Sequence, residues 1–252
     1  MSIHPLALVD PSVQLSGDVH IGPFTVVDKG VSLGENVMIS SHCHLKSGTV
    51  LNEGVELNTG VVIGSDPQDL KYQGEETQVI IGSGSVIREY VTINKGTAAS
   101  GLTQIGENCL VMAYTHIAHD CVIGDDVIIA NGVQMGGHVK IGSHSVVSGM
   151  TGIHQFTTIG CGSFVGGGLR VAKDILPFSK ALGEPLSWAG VNAQGLQKRG
   201  FSEESVSLLK QGFRMLKSEG QEAFLSTLER GKELQLKSVF EAFFEEQSRS
   251  YL

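Results

Sequence analysis

A six-residue hydrophobic period dominates the first two thirds of the chain. Every sixth residue from Ile3 to Val171 is Val, Ile, Leu or Met, with exceptions only at Asp69, Glu75 and Ala99. Neither the 3.6-residue period of an α-helix nor the two-residue alternation of an ordinary strand produces this spacing. It predicts a repeated unit of six residues, each of which points one large aliphatic side chain into a common core.

A second register supports the repeat. Four residues after most aliphatic positions the chain carries a small or β-branched residue, and Gly often follows the aliphatic residue directly, as at Gly106. Because Gly reaches turn conformations that other residues avoid, each hexad predicts one short strand and one turn. Cys43, Cys109 and Cys121 fall in the small register, which predicts buried thiols, whereas Cys161 falls outside it.

The repeat resembles that of the hexapeptide-repeat transferases, whose chains form left-handed parallel β-helices with three hexads in each triangular coil. The resemblance implies a mainly β protein built on such a solenoid. Its handedness comes from the resemblance, because connections between parallel strands are otherwise almost always right-handed.

Two segments interrupt the ladder without changing its phase. They are 65–78, which reads SDPQDLKYQGEETQ, and 95–104, which reads KGTAASGLTQ. Loops that leave a repeat scaffold in this way often carry function. A tolerated surface insertion is the alternative for each loop.

The period becomes helical after Val171. Pro177 and Pro185 mark a connection, and Ser202 is placed to cap a helix that begins with two glutamates. Apolar residues then recur at helical spacing along the rest of the chain. We predict a β-helix over 1–180 and a small α-helical domain over 181–252.

Composition narrows the functional classes. The 252-residue chain has a net charge of −8, which argues against a general nucleic-acid or membrane-surface protein. No run of about 18 apolar residues occurs and the N-terminus lacks signal-peptide features, so we expect a cytoplasmic protein without membrane insertion. A local group of basic residues suits an acidic partner, unless it is only a solvated helix face; it comprises Lys198, Arg199, Lys210, Arg214 and Lys217.

The candidate chemistry lies in the second half of the repeat. His116 and His119 flank the core position Ile117, and His119 is followed by Asp120. One coil contains 18 residues, so His138 lies one coil beyond His119, displaced by one residue. Two stacked imidazoles beside a carboxylate and an excursion loop predict a catalytic cluster.

Four motifs make the resemblance more specific. HIAHDC at 116–121, PQDLKY at 67–72, GMTGIHQF at 149–156 and GLQKRGF at 195–201 resemble those of the UDP-N-acetylglucosamine O-acyltransferase family, over nearly the whole chain. The resemblance implies transfer of a (3-hydroxy)acyl group from acyl carrier protein to the 3-position of UDP-N-acetylglucosamine, at the start of lipid A biosynthesis. It also implies a homotrimer with the site between subunits, and neither a metal nor a cofactor.

The resemblance also assigns roles to residues. His119 would be the general base, Asp120 would orient it, and the Gly137 N–H would stabilise the oxyanion. Residues implied in binding the sugar, the pyrophosphate or the thioester are Gln68, Asp69, Lys71, His116, His138, His154 and Gln155. Residues implied at the nucleotide and pantetheine end are Asn192, Lys198 and Arg199. Candidates for the wall of the acyl groove are Gly166, Gly167, Leu169 and Arg170.

Several alternatives stay open at this point. Lys198-Arg199 stands where the family has two arginines, and Glu184-Pro185 stands where it often has Asn and a small residue, so a 3-amino sugar or another nucleotide sugar is an alternative acceptor. A zinc carbonic anhydrase would need three converging histidines, yet two of the candidates flank one inward residue and should diverge. A CoA-dependent acetyltransferase and a non-catalytic binding solenoid are the other readings.

Overall fold

The protein is described here by a computed structural model covering residues 1–231, 233–246 and 249–252. Its first part consists of short strands, one for each hexad, joined by tight turns. The strands of the first four coils are β1 (Ser2–Ile3), β2 (Leu8–Val9), β3 (Gln14–Leu15), β4 (His20–Ile21), β5 (Val26–Val27), β6 (Ser32–Leu33), β7 (Met38–Ile39), β8 (His44–Leu45), β9 (Thr49–Leu51), β10 (Glu56–Leu57), β11 (Val62–Ser65) and β12 (Gln78–Ile81).

The strands of the later coils continue the series. They are β13 (Val86–Ile87), β14 (Thr92–Asn94), β15 (Leu102–Ile105), β16 (Leu110–Val111), β17 (His116–Ile117), β18 (Val122–Ile123), β19 (Ile128–Ile129), β20 (Gln134–Met135), β21 (Lys140–Ile141), β22 (Val146–Val147), β23 (Gly152–Ile153), β24 (Thr158–Ile159), β25 (Phe164–Val165), β26 (Arg170–Val171), β27 (Ser179–Leu182) and β28 (Ser187–Val191).

Up to β26 every third strand belongs to the same sheet, so the coils form a triangular prism, and β27 and β28 extend the first sheet. The first sheet runs from β1 through β4 and β7 to β28, the second from β2 to β26, and the third from β3 to β24. Within each sheet the ladder positions pair directly, as in Ile93 with Ile117 and Ile117 with Met135. Among the described residues, the strands of the solenoid pair in parallel, and β27 and β28 are the one antiparallel pair. The predicted hexad therefore corresponds to one strand and one turn.

The ladder residues form the core of the prism. From Ile21 to Val171 each aliphatic ladder residue is at most 4% exposed. Ile3 in the first coil is 38% exposed, because no earlier coil covers it. The small register is buried with the ladder, and burial raises the pKa of the Cys121 thiol to about 12, so this cysteine is an inert core residue.

Three corners separate the three sheets. The apolar corner, between the first and second sheets, exposes Phe24, Tyr90, Tyr114 and Met150. The loop corner, between the second and third sheets, contains 118–121, 136–139 and 154–157. The polar corner, between the third and first sheets, contains 124–127, 142–145 and 160–163. At each corner one residue adopts a left-handed backbone conformation, which explains the frequent Gly, Asn, Asp and His at these positions.

Both interruptions of the ladder leave the prism at the loop corner. The first loop, 66–77, connects β11 to β12, and the second loop, 95–101, connects β14 to β15. They are tied together: Lys95 Nζ lies 3.0 Å from Asp66 Oδ1 and 5.5 Å from the Tyr72 ring centroid, and Thr77 Oγ1 donates to Gly96 O. The loops therefore form one braced layer beside the later coils.

The C-terminal region contains α1 (Ala193–Lys198), α2 (Glu203–Glu219), α3 (Gln221–Arg230) and α4 (Leu234–Glu246). Ser202 caps α2 as predicted, because its hydroxyl accepts a hydrogen bond of 3.1 Å from the Ser205 amide. Apolar side chains from these helices form a second core around Phe213, Phe224 and Phe240. β27 spans the predicted boundary at 180 and continues the first sheet toward the helices. Among the described helices, none has the length and hydrophobicity needed to cross a bilayer.

Candidate active site

Three successive coils stack their polar and aromatic side chains at the loop corner. His119 and His138 lie with ring centroids 5.1 Å apart, nearly perpendicular, and His138 stacks in parallel on Phe156 at 4.5 Å. Asp120, His138 and Phe156 occupy the same left-handed turn position, 18 residues apart. The repeat thus delivers side chains from three coils to one place.

His119 and Asp120 form a close pair. His119 Nδ1 lies 2.7 Å from Asp120 Oδ2, and the Asp120 side chain is fully buried while 11% of the His119 side chain is exposed. With Nδ1 donating to the carboxylate, Nε2 is the ring nitrogen with the free lone pair. The pair has the arrangement of a general base with its orienting acid.

Asp120 is ionised in spite of its burial. Burial alone raises the pKa of its carboxyl, but hydrogen bonds from Ser100, His119 and Thr97 outweigh this and lower the pKa to about 2. Thr97 contributes its amide at 3.0 Å and its hydroxyl at 2.7 Å. The carboxylate is therefore negative at any pH at which the protein would work.

Thr97 and Ser100 were absent from the sequence-based candidates. Both lie in the second loop, for which the sequence left a functional and a passive reading equally open. The signal that could have found them is positional, because the second loop leaves the loop corner one coil before Asp120.

Two neighbouring histidines have lowered pKa values, which favours their neutral form. Burial, and to a smaller extent His119, lowers the pKa of His116, whose Nδ1 lies 2.7 Å from Thr92 Oγ1. Burial also lowers the pKa of His138, against the opposing pull of Asp120 and Asp69. Neutral imidazoles can both donate and accept hydrogen bonds, which suits binding of sugar hydroxyl groups.

A cavity of about 260 Å³ opens between the two loops and the histidine stack. It is lined by Asp69, Lys71, Tyr72, Glu75, Thr97, Ala98, Ala99 and His138. Asp69 and Lys71, expected at the site from the sequence, are thus beside His138, and Gln68 is exposed on the same loop. A carboxylate and an ammonium group in one cavity can bind a hydroxyl and a phosphate, respectively.

Gly137 packs directly against the His119 ring. A Cβ at this position would lie 2.5 Å from His119 Cε1 and 2.7 Å from Nε2, so only glycine admits the ring. One coil later, Gln155 lies over Gly136, and the adjacent His154 Nδ1 accepts from Arg249 Nη2 at 3.1 Å.

The residues expected at the nucleotide end lie elsewhere in the chain. Asn192 caps α1 with its Oδ1 and donates from Nδ2 to Gly162 O at the polar corner. The Arg199 guanidinium lies 5.4 Å from the Phe178 ring centroid, and Lys198 is exposed. Asn192 and Arg199 thus lie near Gly162 at the polar corner, whereas His119 lies at the loop corner.

The groove candidates lie at the end of the solenoid. Leu169 and Arg170 line a cleft of about 420 Å³ together with 183–186 of the β27–β28 hairpin. Gly166 lies beneath Leu182 and Leu169, and Gly167 is exposed.

The site does not suit the three-histidine zinc hypothesis. Possible ligand atoms of His119, Asp120 and His138 lie within 4.8 Å of one another, but His116 is not part of this group. The Asp120 oxygens already accept from Thr97, Ser100 and His119. A carboxylate committed to these donors fits a proton-transfer pair better than a metal ligand.

Two family models and several curated relatives match this chain. Residues 102–137 match the family model of bacterial transferase hexapeptide (six repeats), and residues 174–252 match domain 2 of Udp N-acetylglucosamine O-acyltransferase. A Thiobacillus denitrificans acyl-[acyl-carrier-protein]–UDP-N-acetylglucosamine O-acyltransferase is 44% identical over 87% of this chain and 85% of its own length. The Xanthomonas campestris enzyme of the same name is 44% identical over 85% of this chain and 82% of its own.

Solved structures give the same result for the whole chain. The Francisella novicida UDP-N-acetylglucosamine acyltransferase superposes with a TM-score of 0.94 at 33% identity, covering 99% of this chain and 93% of that one. The Campylobacter jejuni UDP-N-acetylglucosamine acyltransferase has a TM-score of 0.91 at 35% identity, covering 99% and 98%. These matches confirm the predicted left-handed β-helix with a small helical C-terminal region.

Proposed function

This chain belongs to the UDP-N-acetylglucosamine O-acyltransferase family, and we propose that it transfers an acyl group from acyl carrier protein to the 3-position of UDP-N-acetylglucosamine, the first step of lipid A biosynthesis in the cytoplasm. The observation that carries the proposal is the buried His119–Asp120 pair beside a cavity that contains Asp69 and Lys71. The pair can supply a general base, and Lys71 can supply a cation that binds the phosphates of the acceptor.

The sugar hydroxyl attacks the thioester directly. His119 Nε2 takes the hydroxyl proton as the oxygen–carbon bond forms, and the Gly137 N–H stabilises the resulting oxyanion. The carbon–sulfur bond then breaks, and the proton on His119 goes to the departing thiolate of the carrier. Asp120 stays ionised throughout and stabilises the imidazolium. The reaction needs no nucleophilic side chain and no cofactor.

The first loop and the later coils bind the acceptor. Lys71 binds phosphate oxygens, whereas Asp69 and the neutral His138 bind sugar hydroxyl groups. In the proposal, Gln68, His116, His154 and Gln155 complete the binding surface for the acceptor.

A homotrimer completes the site. The outer positions of the first sheet form an apolar stripe beside the apolar corner, through Val86, Leu110, Ile128, Val146 and Phe164. Tyr114 and Met150 on that corner are 63% and 74% exposed. Continuous apolar surface of this kind is typical of an interface. A neighbouring subunit packed along it supplies Asn192, Lys198 and Arg199 to the cleft at His119, and the groove at Leu169 takes the acyl chain.

Transfer assays with purified protein test this function. The donors are acyl carrier proteins loaded with acyl chains of several lengths, with and without a 3-hydroxyl, and the acceptors are UDP-N-acetylglucosamine and its 3-amino analogue. We expect an alkali-labile ester on UDP-N-acetylglucosamine. An alkali-stable amide formed only on the analogue would identify a 3-amino sugar as the acceptor, and no transfer by folded trimer to either would reject the proposal.

A further inference from the structure

The Asp120 carboxylate receives four donors, two on each oxygen. Oδ1 accepts from the Thr97 amide at 3.0 Å and from Ser100 Oγ, while Oδ2 accepts from Thr97 Oγ1 at 2.7 Å and from His119 Nδ1 at 2.7 Å. Three of the four come from the second loop. The His119 imidazole therefore shares Asp120 Oδ2 with the hydroxyl of Thr97, which lies 23 residues before Asp120 in the chain.

The second loop is shaped to deliver these donors. Gly101 N donates to Thr97 O at 2.7 Å, and Ala99 N donates to Thr97 Oγ1 at 3.2 Å, which closes a tight turn. A Cβ on Gly96 would collide with the backbone of residues 101 and 102, so the chain can cross at the base of the loop only with glycine there. The turn brings the Thr97 and Ser100 hydroxyls onto the same carboxylate.

The segment that holds the Asp120 carboxylate also holds the Asp120 backbone. Thr103 Oγ1, just after the second loop, accepts from the Asp120 amide at 2.9 Å. Backbone and side chain of Asp120 are thus both attached to the segment 97–103. Rotation of the carboxylate about its own bond would break the Thr97 and His119 hydrogen bonds together.

An exposed Ser–Asp pair, Ser12 with Asp10, can be compared with the buried donors to Asp120. At the N-terminal end of the loop corner, Ser12 Oγ donates to Asp10 Oδ1 at 2.6 Å, and the pair is exposed. Ser12 closes a local turn with Asp10, whose Oδ1 accepts from both the amide and the hydroxyl of Ser12. The Thr97 and Ser100 hydroxyls instead donate to the buried Asp120 carboxylate, whose Oδ2 also accepts from His119.

We propose that Thr97 and Ser100 are positioning residues for acyl transfer, which fix the plane of the Asp120 carboxylate so that one lone pair stays directed at His119 Nδ1. The inference rests on the proposed function and adds to it a role for the second loop. Since Lys95 joins this loop to Asp66 of the first loop, the loop that holds the carboxylate is also anchored to the loop that binds the acceptor.

The test compares four single variants. Ser100→Ala and Thr97→Val each remove a hydroxyl donor, Thr97→Ser keeps one, and Ser12→Ala removes the exposed donor. We expect kcat to fall about tenfold in the first two, in the range of one misplaced polar contact, while KM for UDP-N-acetylglucosamine stays within twofold. Thr97→Ser and Ser12→Ala should stay within about threefold of the wild type.

A double-mutant cycle separates positioning from general support. In an Asp120→Ala background, Ser100→Ala and Thr97→Val should lower kcat by less than twofold further, because their target is gone. Equal losses in both backgrounds, or wild-type kcat in Ser100→Ala, would overturn the inference. If Thr97→Val does not fold, as judged by thermal unfolding, the Ser100 cycle decides alone. Absence of transfer by the wild type would instead reject the proposed function.

Discussion

Two Asp–His arrangements on this solenoid share a left-handed backbone conformation but differ in burial and in the distance between the two side chains. Asp120 and His138 occupy the left-handed position of the loop corner, 18 residues apart, and Asp126 and His144 occupy the same position of the polar corner. At the polar corner His144 Nδ1 lies 3.3 Å from Asp126 Oδ2, and the side chains are 37% and 46% exposed. At the loop corner the Asp120 side chain is fully buried, paired with His119 at 2.7 Å.

The difference comes from the excursion loops. The hexad repeat alone places Asp and His on successive coils, which at the polar corner gives only a solvent-exposed contact between the two side chains. At the loop corner two loops exclude water and add donors to the carboxylate. The repeat therefore places the Asp and His side chains next to each other. The two loops bury the pair at the loop corner and add hydrogen bonds to it, which suits the pair to catalysis.

The largest effect should come from changing the two aspartates in turn. In Asp120→Asn the amide nitrogen can face His119 Nδ1 and favour the tautomer with a proton on Nε2, which cannot accept a proton from the acceptor. We expect transfer to fall about 10³-fold, whereas Asp126→Asn should stay within twofold. Steady-state kcat of both variants measures this, and equal losses would mean that burial at the loop corner is not what matters.

A second comparison uses two glycines at different corners, Gly137 at the loop corner and Gly142 at the polar corner. In Gly137→Ala the three atoms nearest to the new methyl group would all belong to the His119 ring. The ring should therefore move while the fold is kept, and we expect about a 10²-fold loss of kcat with little change in Tm. In Gly142→Ala the methyl group would lie 2.5 Å from the Cys161 amide nitrogen. That variant should lose Tm and keep the kcat of its folded fraction. The reverse pattern would contradict the site assignment.

The smallest effect concerns acid stability. Because the folded pKa of Asp120 is lowered to about 2, below the usual Asp value of about 3.9, the ionised carboxylate stabilises the fold fully above about pH 4. This contribution is lost as the pH falls toward 2. The difference in Tm between the wild type and Asp120→Asn should therefore be constant from pH 6 to about 4.5 and shrink below it. A difference that grows on acidification would contradict this assignment.

The fold could be predicted from the sequence because its core is periodic. Ile117 and its equivalents follow from the six-residue ladder, and the missing ladder residues Asp69, Glu75 and Ala99 mark where the chain leaves the prism. The 18-residue coil also predicted the approach of His138 to His119, whose rings lie 5.1 Å apart.

The rest of the site could not be predicted because it depends on contacts that have no period. The donors Thr97 and Ser100 reach Asp120 through the conformation of a nonrepetitive loop. Arg199 stacks on Phe178, and Asn192 caps a helix, for reasons that belong to the helical domain. Whether these residues reach the site depends on a second subunit, which the sequence of one chain does not describe.

In the proposed function, His119 at the loop corner is the general base for acyl transfer. Measuring acyl transfer to UDP-N-acetylglucosamine by His119→Ala and His144→Ala, both folded, tests it most directly. We expect His119→Ala to lose at least about 10³-fold in kcat, within the range for removal of a general base, and His144→Ala to stay within twofold of the wild type. If His119→Ala kept more than a tenth of the wild-type rate, or if both variants lost the same activity, His119 would not be the general base.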